Sequence, residues 1–290
     1  MLTAIGKGVT SRVLTEMERL AEKEPEAYAK IWENFGVVLK EGIYDDFERR
    51  DALLSLSRFK TTASGASMAQ PERVHFFTEA EPDCNLYLTG DDIARLEASP
   101  HVEGFRARGV EVLLLADPID SFWVMSGASF EGKPFKSVTQ GSADLALIPL
   151  LDPEHASAPA VDDNVTSFIA FIKDTLGEAV SDVRPSDRLT DSVVCLVAPG
   201  AGPDRQLEKL LAGAGRLKAG AKPILEVNSR HDIILAAAGL GDADEEFKRD
   251  VAHFLLDEAR VLEGDRPADA KQFCNRLARL MRRGLAAKAI

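Results

Sequence analysis

The apolar positions of the first 35 residues recur at helical steps: Val13, Met17 and Leu20, then, after Pro25, Tyr28, Ile31, Trp32 and Phe35. Pro25 is read as the start of a second helix, because the N–H it lacks has no partner in a first turn anyway. Residues 45–59 predict a third helix that offers Phe47, Leu53, Leu54 and Leu56 to a core. The stretch TTASGASMAQPE, small and turn-forming, reads as loop.

The clearest unit follows. Leu86–Thr89 is a short apolar strand, and Gly90-Asp91-Asp92 is a turn able to cap a helix. Ile93–Ala98 and Val102–Arg108 read as helix, ended by Gly109. Val110–Ala116 (VEVLLLA) is nearly uninterrupted apolar sequence, the mark of a strand covered on both faces of a parallel sheet. Strand, helix and strand in this compass predict a right-handed βαβ crossover.

Between Gly141 and Asn164 the pattern dissolves into Pro, Ala, Ser and Asp, which predicts a domain boundary: residues 1–150 and residues 151–290. In the second part, Val165–Leu176 is helical with Phe168, Ile169 and Ile172 on one side. Val193–Ala198 reads as strand, Leu207–Leu211 as part of a short amphipathic helix, and Ile224–Val227 and Ile233–Ala238 as strand or short helix. The last 50 residues carry the strongest helical signal. Phe247, Val251, Phe254, Leu255 and Leu262 mark one stripe; Phe273, Leu277, Leu280, Met281 and Leu285 mark another, across a break at Gly264-Asp265-Arg266-Pro267. A hairpin of two such helices cannot bury both stripes alone, and pairing with a second copy in a four-helix bundle is the economical solution.

Composition narrows the function. The chain has 290 residues and a formal net charge of −12, which argues against a nucleic-acid binder, whose affinity depends on clustered Lys and Arg. No apolar run approaches a membrane span, and the N-terminus lacks a signal core, so a cytoplasmic location is expected. Three scattered cysteines, Cys84, Cys195 and Cys274, make neither a disulfide framework nor a metal pair and read as small packing residues. Lys271, Arg276, Arg279, Arg282, Arg283 and Lys288, with no acid among the last 20 residues, read as an anion patch or, preferably, as a solvated polar face.

Chemistry is sparse. There is no Walker loop, GxGxxG, GxSxG or HExxH, and the five histidines lack ligand spacing; His101 and His231 follow turn residues and read as surface or capping groups. Asp242-Ala243-Asp244 starts like a calcium loop, but the Gly and the closing Glu are missing. The Gly-rich loop 213–220 is a weak anion nest. Asp117 and Asp120 in ADPID stand at the carboxyl end of the long strand, where α/β proteins bind ligands, but Asp-Pro is equally a turn and the second Asp a cap. More conspicuous are Phe122 and Trp123 directly after that turn, and Leu207, Leu210 and Leu211 on the short helix: buried packing is the plain reading of each, a sticky surface for unfolded chains the sharper one.

Three segments carry a family signature: LKEGIYDDFERRDALLSLSRFKTT (39–62), LYLTGDDIARLEASPHVEGFRARGVEVLLLADPIDSF (86–122) and FEGKPFKSV (130–138). They closely resemble the middle domain of the ninety-kilodalton heat-shock chaperones, in the form of the bacterial high-temperature protein G. DVRPSDRLTDSVVCLV (182–197), ILEVNSRH (224–231) and the tail from Asp265 to Leu285 look like that family's C-terminal domain. The resemblance implies a three-layer α/β/α middle subdomain, then a mixed α+β domain ending in a dimerising hairpin: α+β overall. It implies a homodimeric, ATP-driven clamp that remodels unfolded client proteins, with ATP and Mg held by a domain without counterpart here. This chain is then expected to be the C-terminal half, with no cofactor, metal or catalytic residue of its own.

By the same resemblance, Phe122, Trp123, Leu207, Leu210 and Leu211 fall where the family contacts clients. Phe254, Leu255, Leu262, Phe273, Leu277, Leu280 and Met281 fall on its dimer helices. The loop 63–84 lacks the family's Lys/Gly/Gln-rich lead, and the tail AAKAI lacks the acidic motif that recruits helical-repeat cochaperones. The competing readings are a structural dimerisation scaffold without client binding and, behind it, an α/β enzyme using Asp117 and Asp120.

Overall fold

A computed structural model describes residues 2–63, 84–140, 145, 148–151, 162–199, 205–213, 221–241 and 244–286. Met1, residues 64–83, most of 141–161, 200–204, the Gly-rich run 214–220, Asp242-Ala243 and the last four residues, with Lys288, lie outside the described residues. In chain order the elements begin with α1 (Leu2–Lys23), α2 (Pro25–Asp45), α3 (Arg50–Leu56), β1 (Lys60–Thr61), β2 (Asn85–Thr89) and α4 (Ile93–Glu97). Then come α5 (Pro100–Arg106), β3 (Leu113–Leu115), α6 (Asp120–Met125), β4 (Ser129–Phe130), β5 (Lys133–Ser137) and α7 (Asp163–Leu176). The chain closes with β6 (Asp182–Pro185), β7 (Val194–Val197), α8 (Arg205–Gly213), β8 (Ile224–Val227), α9 (Asp232–Ala238), α10 (Glu245–Leu262) and α11 (Ala270–Ala286). Helices and two mixed sheets make this an α+β fold.

The chain forms two compact units, residues 1–97 with 110–137, and residues 98–109 with 138–290. In the first, the sheet order is β1-β3-β2-β5-β4. β2 runs parallel to both β3 and β5, so the central strand is covered on both sides, and β1 and β4 close the edges antiparallel. β2 and β3 pair in parallel with α4 and α5 between them in sequence, the strand–helix–strand order expected. The long apolar run at β3 pairs only over Leu113–Leu115, although Val110 and Val112 before it are also buried. The core gathers Tyr28, Trp32 and Ile43 from α2, Leu53, Leu54 and Leu56 from α3, and Phe59, Trp123 and Phe130. The 45–59 helix splits: α2 runs on to Asp45, α3 starts at Arg50, and Phe47 between them is 68% exposed, its ring under the Arg50 guanidinium at 4.3 Å rather than in the core.

In the second unit the sheet is β6-β8-β7, with β6 parallel and β7 antiparallel to β8. The inner faces of α7 (Phe168, Ile172) and α10 (Val251, Leu255) close on Val194, Leu196 and Leu225 of the sheet. Caps fix the helix starts: Asp162 accepts from Asn164 N at 3.2 Å, and His231 Nδ1 accepts from Ile233 N at 3.2 Å, the capping role its position suggests. Helix α5, which lies between β2 and β3 in sequence, packs in this unit. The Glu103 carboxylate accepts the successive backbone N–H groups of Thr190, Asp191 and Ser192 at 2.9, 3.0 and 3.1 Å. Gly104 lies so close to the Arg188 backbone that a Cβ would meet its Cα and O at 2.6 Å. Only glycine fits there.

Candidate functional site

The ADPID turn is closed by its own side chains. Asp120 is fully buried; its carboxylate accepts from Trp123 Nε1 at 2.7 Å, from Lys40 Nζ at 2.9 Å and from the Asp117 N–H at 3.2 Å. Lys40, reaching in from α2, also meets Asp117 Oδ2 at 2.7 Å, and its ammonium lies 5.1 Å from the Phe59 ring centroid. Burial pushes the Asp120 carboxyl up against the pull of Lys40 and Trp123. A cation with two carboxylates and an indole donor is a satisfied knot, and it leaves Asp120 no free oxygen for a substrate. The two aspartates terminate the strand and hold α2.

That knot also sorts the neighbouring aromatics. Trp123, drawn inward by its bond to Asp120, is fully buried between the rings of Phe135 (4.9 Å between centroids) and Phe59 (5.9 Å). It has no surface to offer a client. Phe122, one residue earlier and so about 100° around the helix, is 40% exposed and meets Tyr44 edge-on at 6.4 Å. Tyr44 and Met125 are exposed as well, so Phe122, Tyr44 and Met125 form one apolar patch of this unit, while Val9, Val13, Phe35, Val37, Val38 and Phe47 are exposed elsewhere on α1, α2 and the turn after α2. Phe122 stood out in the sequence as an apolar residue directly after the ADPID turn; Tyr44, in GIYDDF, was not singled out as part of an apolar cluster.

In the second unit, Leu207 of α8 is buried, whereas Leu210 and Leu211 are half-buried. Besides Leu207 and the Ala221 N–H bond to Glu208 at 3.2 Å, charge ties α8 to the end of α10. Arg205 forks onto the Glu263 carboxylate at 2.6–2.8 Å, and Lys209 reaches the Glu263 carbonyl at 3.0 Å and Asp265 at 3.1 Å. His101, expected as a surface or capping group, is buried with Nε2 3.8 Å from Glu263. The convergence of Arg205, Lys209 and His101 on Glu263 was invisible to sequence reasoning, because contacts across 54 and more positions leave no local pattern.

The hairpin stripes divide as well. Leu255 is buried in its own core, so it is not available to a second copy. Phe254 stacks on Phe273 with centroids 5.6 Å apart, and Leu280 packs partly against the α10 side of the core. Leu277 is half-buried, while Leu262, Met281 and Leu285 stand exposed. Of the basic residues of α11, Arg276 pairs with Asp250 and Asp257, Arg279 with Asp250 and Arg283 with Asp244, which leaves Lys271 and Arg282 as exposed basic groups on the solvated face. Cys195 is buried, its thiol pushed well up by burial and then by Glu226; Cys274 is exposed, contrary to a packing role, and Cys84 is intermediate. Among the described residues no cluster of three His, Cys, Asp or Glu is placed to hold a metal ion, and no helix is long and apolar enough to cross a membrane.

Comparison with known proteins places these features. The Hsp90 protein family matches residues 1–289. The chain is 59% identical over 300 residues to the chaperone protein HtpG of Mesorhizobium japonicum, covering 99% of this chain and 46% of that protein. It is 60% identical over 285 residues to the chaperone protein HtpG of Nitrobacter winogradskyi, covering 98% and 44%. The protein of the same name from Rhizobium meliloti is 56% identical over 286 residues, covering 98% and 45%. The chain thus spans a little under half the length of these curated relatives, and it belongs to the Hsp90 protein family.

Proposed function

We propose that this chain is the client-handling and self-associating part of an Hsp90-type molecular chaperone, the C-terminal half of a longer, ATP-driven cytoplasmic clamp. The observation that carries the reading is apolar surface that neither unit buries: Phe122, Tyr44 and Met125 in the first, Leu262, Met281 and Leu285 in the second. The Phe122 patch and the half-buried Leu210 and Leu211 receive partly folded clients; the outward stripe of α11, with Leu262, packs on a second copy. Residues 151–290 are in this reading the dimerisation domain. The names of the relatives, chaperone proteins, support it. ATP and Mg act in the whole protein, and no residue described here is assigned to them.

Light scattering tests the dimer. The chain is expected at twice its mass of 31.5 kDa, and Met281→Glu with Leu285→Glu, both on the exposed side of α11, at the single mass. A monomer before substitution removes the clamp. For clients, Phe122→Ser together with Leu211→Ser is expected to weaken suppression of client aggregation while leaving the dimer intact. The burial of Trp123 and Leu207 favours a second reading, a dimerisation scaffold with too little apolar surface for clients. Unchanged suppression in the double variant would decide for it.

A further inference from the structure

Glu263 caps the C-terminus of α10, where the chain turns toward α11, and its side chain is only 10% exposed. Its carboxylate meets side chains from two other helices of the same unit. From α8, Arg205 donates through Nε to Oε1 at 2.7 Å and to Oε2 at 2.8 Å, and through Nη2 to Oε2 at 2.6 Å. Lys209, one turn further on the same face, donates to the Glu263 carbonyl at 3.0 Å and stands 3.1 Å from Asp265. From α5, His101 Nε2 lies 3.8 Å away, while its buried Nδ1 has no hydrogen-bond partner among the described residues. Burial alone would raise the Glu263 carboxyl, but the bonds from His101 and Arg205 overcome it and hold the group at about 2.

Helix α8 needs such an anchor. It has nine residues, fewer than a helix requires to persist alone in water. Of its apolar side chains only Leu207 is buried, and Gly and Pro crowd the sequence on either side. Its bidentate arginine and its lysine converge on a single helix end. The Arg205 fork is the bidentate, charge-assisted part of this attachment, so one substitution removes it while the Lys209 contacts and the Glu208 bond from the Ala221 N–H remain.

We propose that Glu263 is an electrostatic latch holding α8 against the end of α10, and that breaking the Arg205–Glu263 fork releases α8 whole, uncovering Leu207 beside Leu210 and Leu211. The latch stands independently of clients. Its consequence, a switchable apolar surface next to the turn that leads into α11, rests on the client-binding reading above.

Hydrogen exchange with mass spectrometry on the full chain reads the latch directly. Arg205→Ala leaves Glu263 its His101 and Lys209 contacts, and is expected to speed exchange over 205–213 by about ten-fold or more, with α7 and β8 unchanged. Glu263→Gln is expected to do the same, and Arg205→Lys, which keeps the cation without the fork, to fall between. Unchanged exchange of α8 in Arg205→Ala overturns the proposal. Equal acceleration across α7 and β8 overturns it too, since Arg205 would then support the whole unit rather than one helix. An Arg205→Ala chain that opens at α8 yet holds clients no better keeps the latch and removes its client consequence.

Discussion

Two helical hairpins, α1–α2 and α10–α11, look alike as patterns and are held by different physics. In the first, α2 buries Tyr28, Trp32, Gly36, Lys40 and Ile43, and α1 still sends Leu14 and Met17 into the same core. In the second, α10 buries Val251, Ala252, Leu255, Leu256 and Ala259, but α11 buries nothing, despite the stronger apolar stripe. What α11 shares with its own unit is a ladder of ion pairs, one aromatic stack and the partly buried Leu280. Periodicity therefore reports that a helix has an apolar face. It does not report whether the partner of that face lies in the same chain.

The contrast breaks first at Lys40, where the largest effect is expected. Lys40→Met leaves Asp120 buried with its countercharge gone, and removing one member of such a pair costs about 3–5 kcal/mol. Urea unfolding followed by tryptophan fluorescence reads it cleanly, because both tryptophans, Trp32 and Trp123, belong to the first unit. The loss shrinks as pH falls, since an unpaired buried carboxyl escapes its charge by binding a proton. A loss under about 1 kcal/mol at neutral pH would mean that α2 is held by its apolar face alone.

Lys40 also marks where sequence reading stopped. Within α2 it reads as a solvent position, and its partners lie 77 and 80 residues away. The βαβ unit was legible because β2 and β3 are runs of apolar residues, as burial on both faces demands. β5 (KPFKS) and β6 (DVRP) were not: each is short, polar at most positions, and made a strand by its neighbour's hydrogen bonds. Phe122 and Trp123 were legible as an apolar pair, but which of them faces inward is decided by the Asp120 carboxylate. On α11 the stripe was readable, whereas the Arg276, Arg279 and Arg283 pairings across the hairpin required the geometry of both helices.

A middle-sized effect is expected at the end of α10. The Glu263 carboxyl sits at about 2 in the folded chain against 4.5 as the ordinary value. A carboxyl lowered on folding stabilises above its unfolded value, so this contribution is full above about pH 4.5 and is lost as pH falls toward 2. A difference of this size is worth roughly 3 kcal/mol. Calorimetry at pH 5 and pH 3 checks it: Glu263→Gln is expected to flatten the acid loss of the second unit, and an unchanged slope would assign that loss to Glu226, whose carboxyl is also lowered because the Arg188 and Arg184 pairings outweigh its burial.

The smallest effect sharpens the comparison from the other side. Arg283 and Asp244 pair at 2.8 Å with side chains 43% and 34% exposed, in a setting where solvent screens most of the attraction. Arg283 also lies over the Phe247 ring at 4.1 Å, and glutamine keeps part of that packing. Arg283→Gln is therefore expected to leave the thermal midpoint of the second unit where it was. If α11 is instead fixed on its own unit by these pairs, the same substitution lowers the midpoint and speeds amide exchange along α11 in the monomeric Met281→Glu, Leu285→Glu background. A silent Arg283→Gln in that background, with α11 exchanging freely, means that the helix gets its order from the second copy, and that the exposed stripe of Met281 and Leu285 is the half of a core which one chain cannot complete.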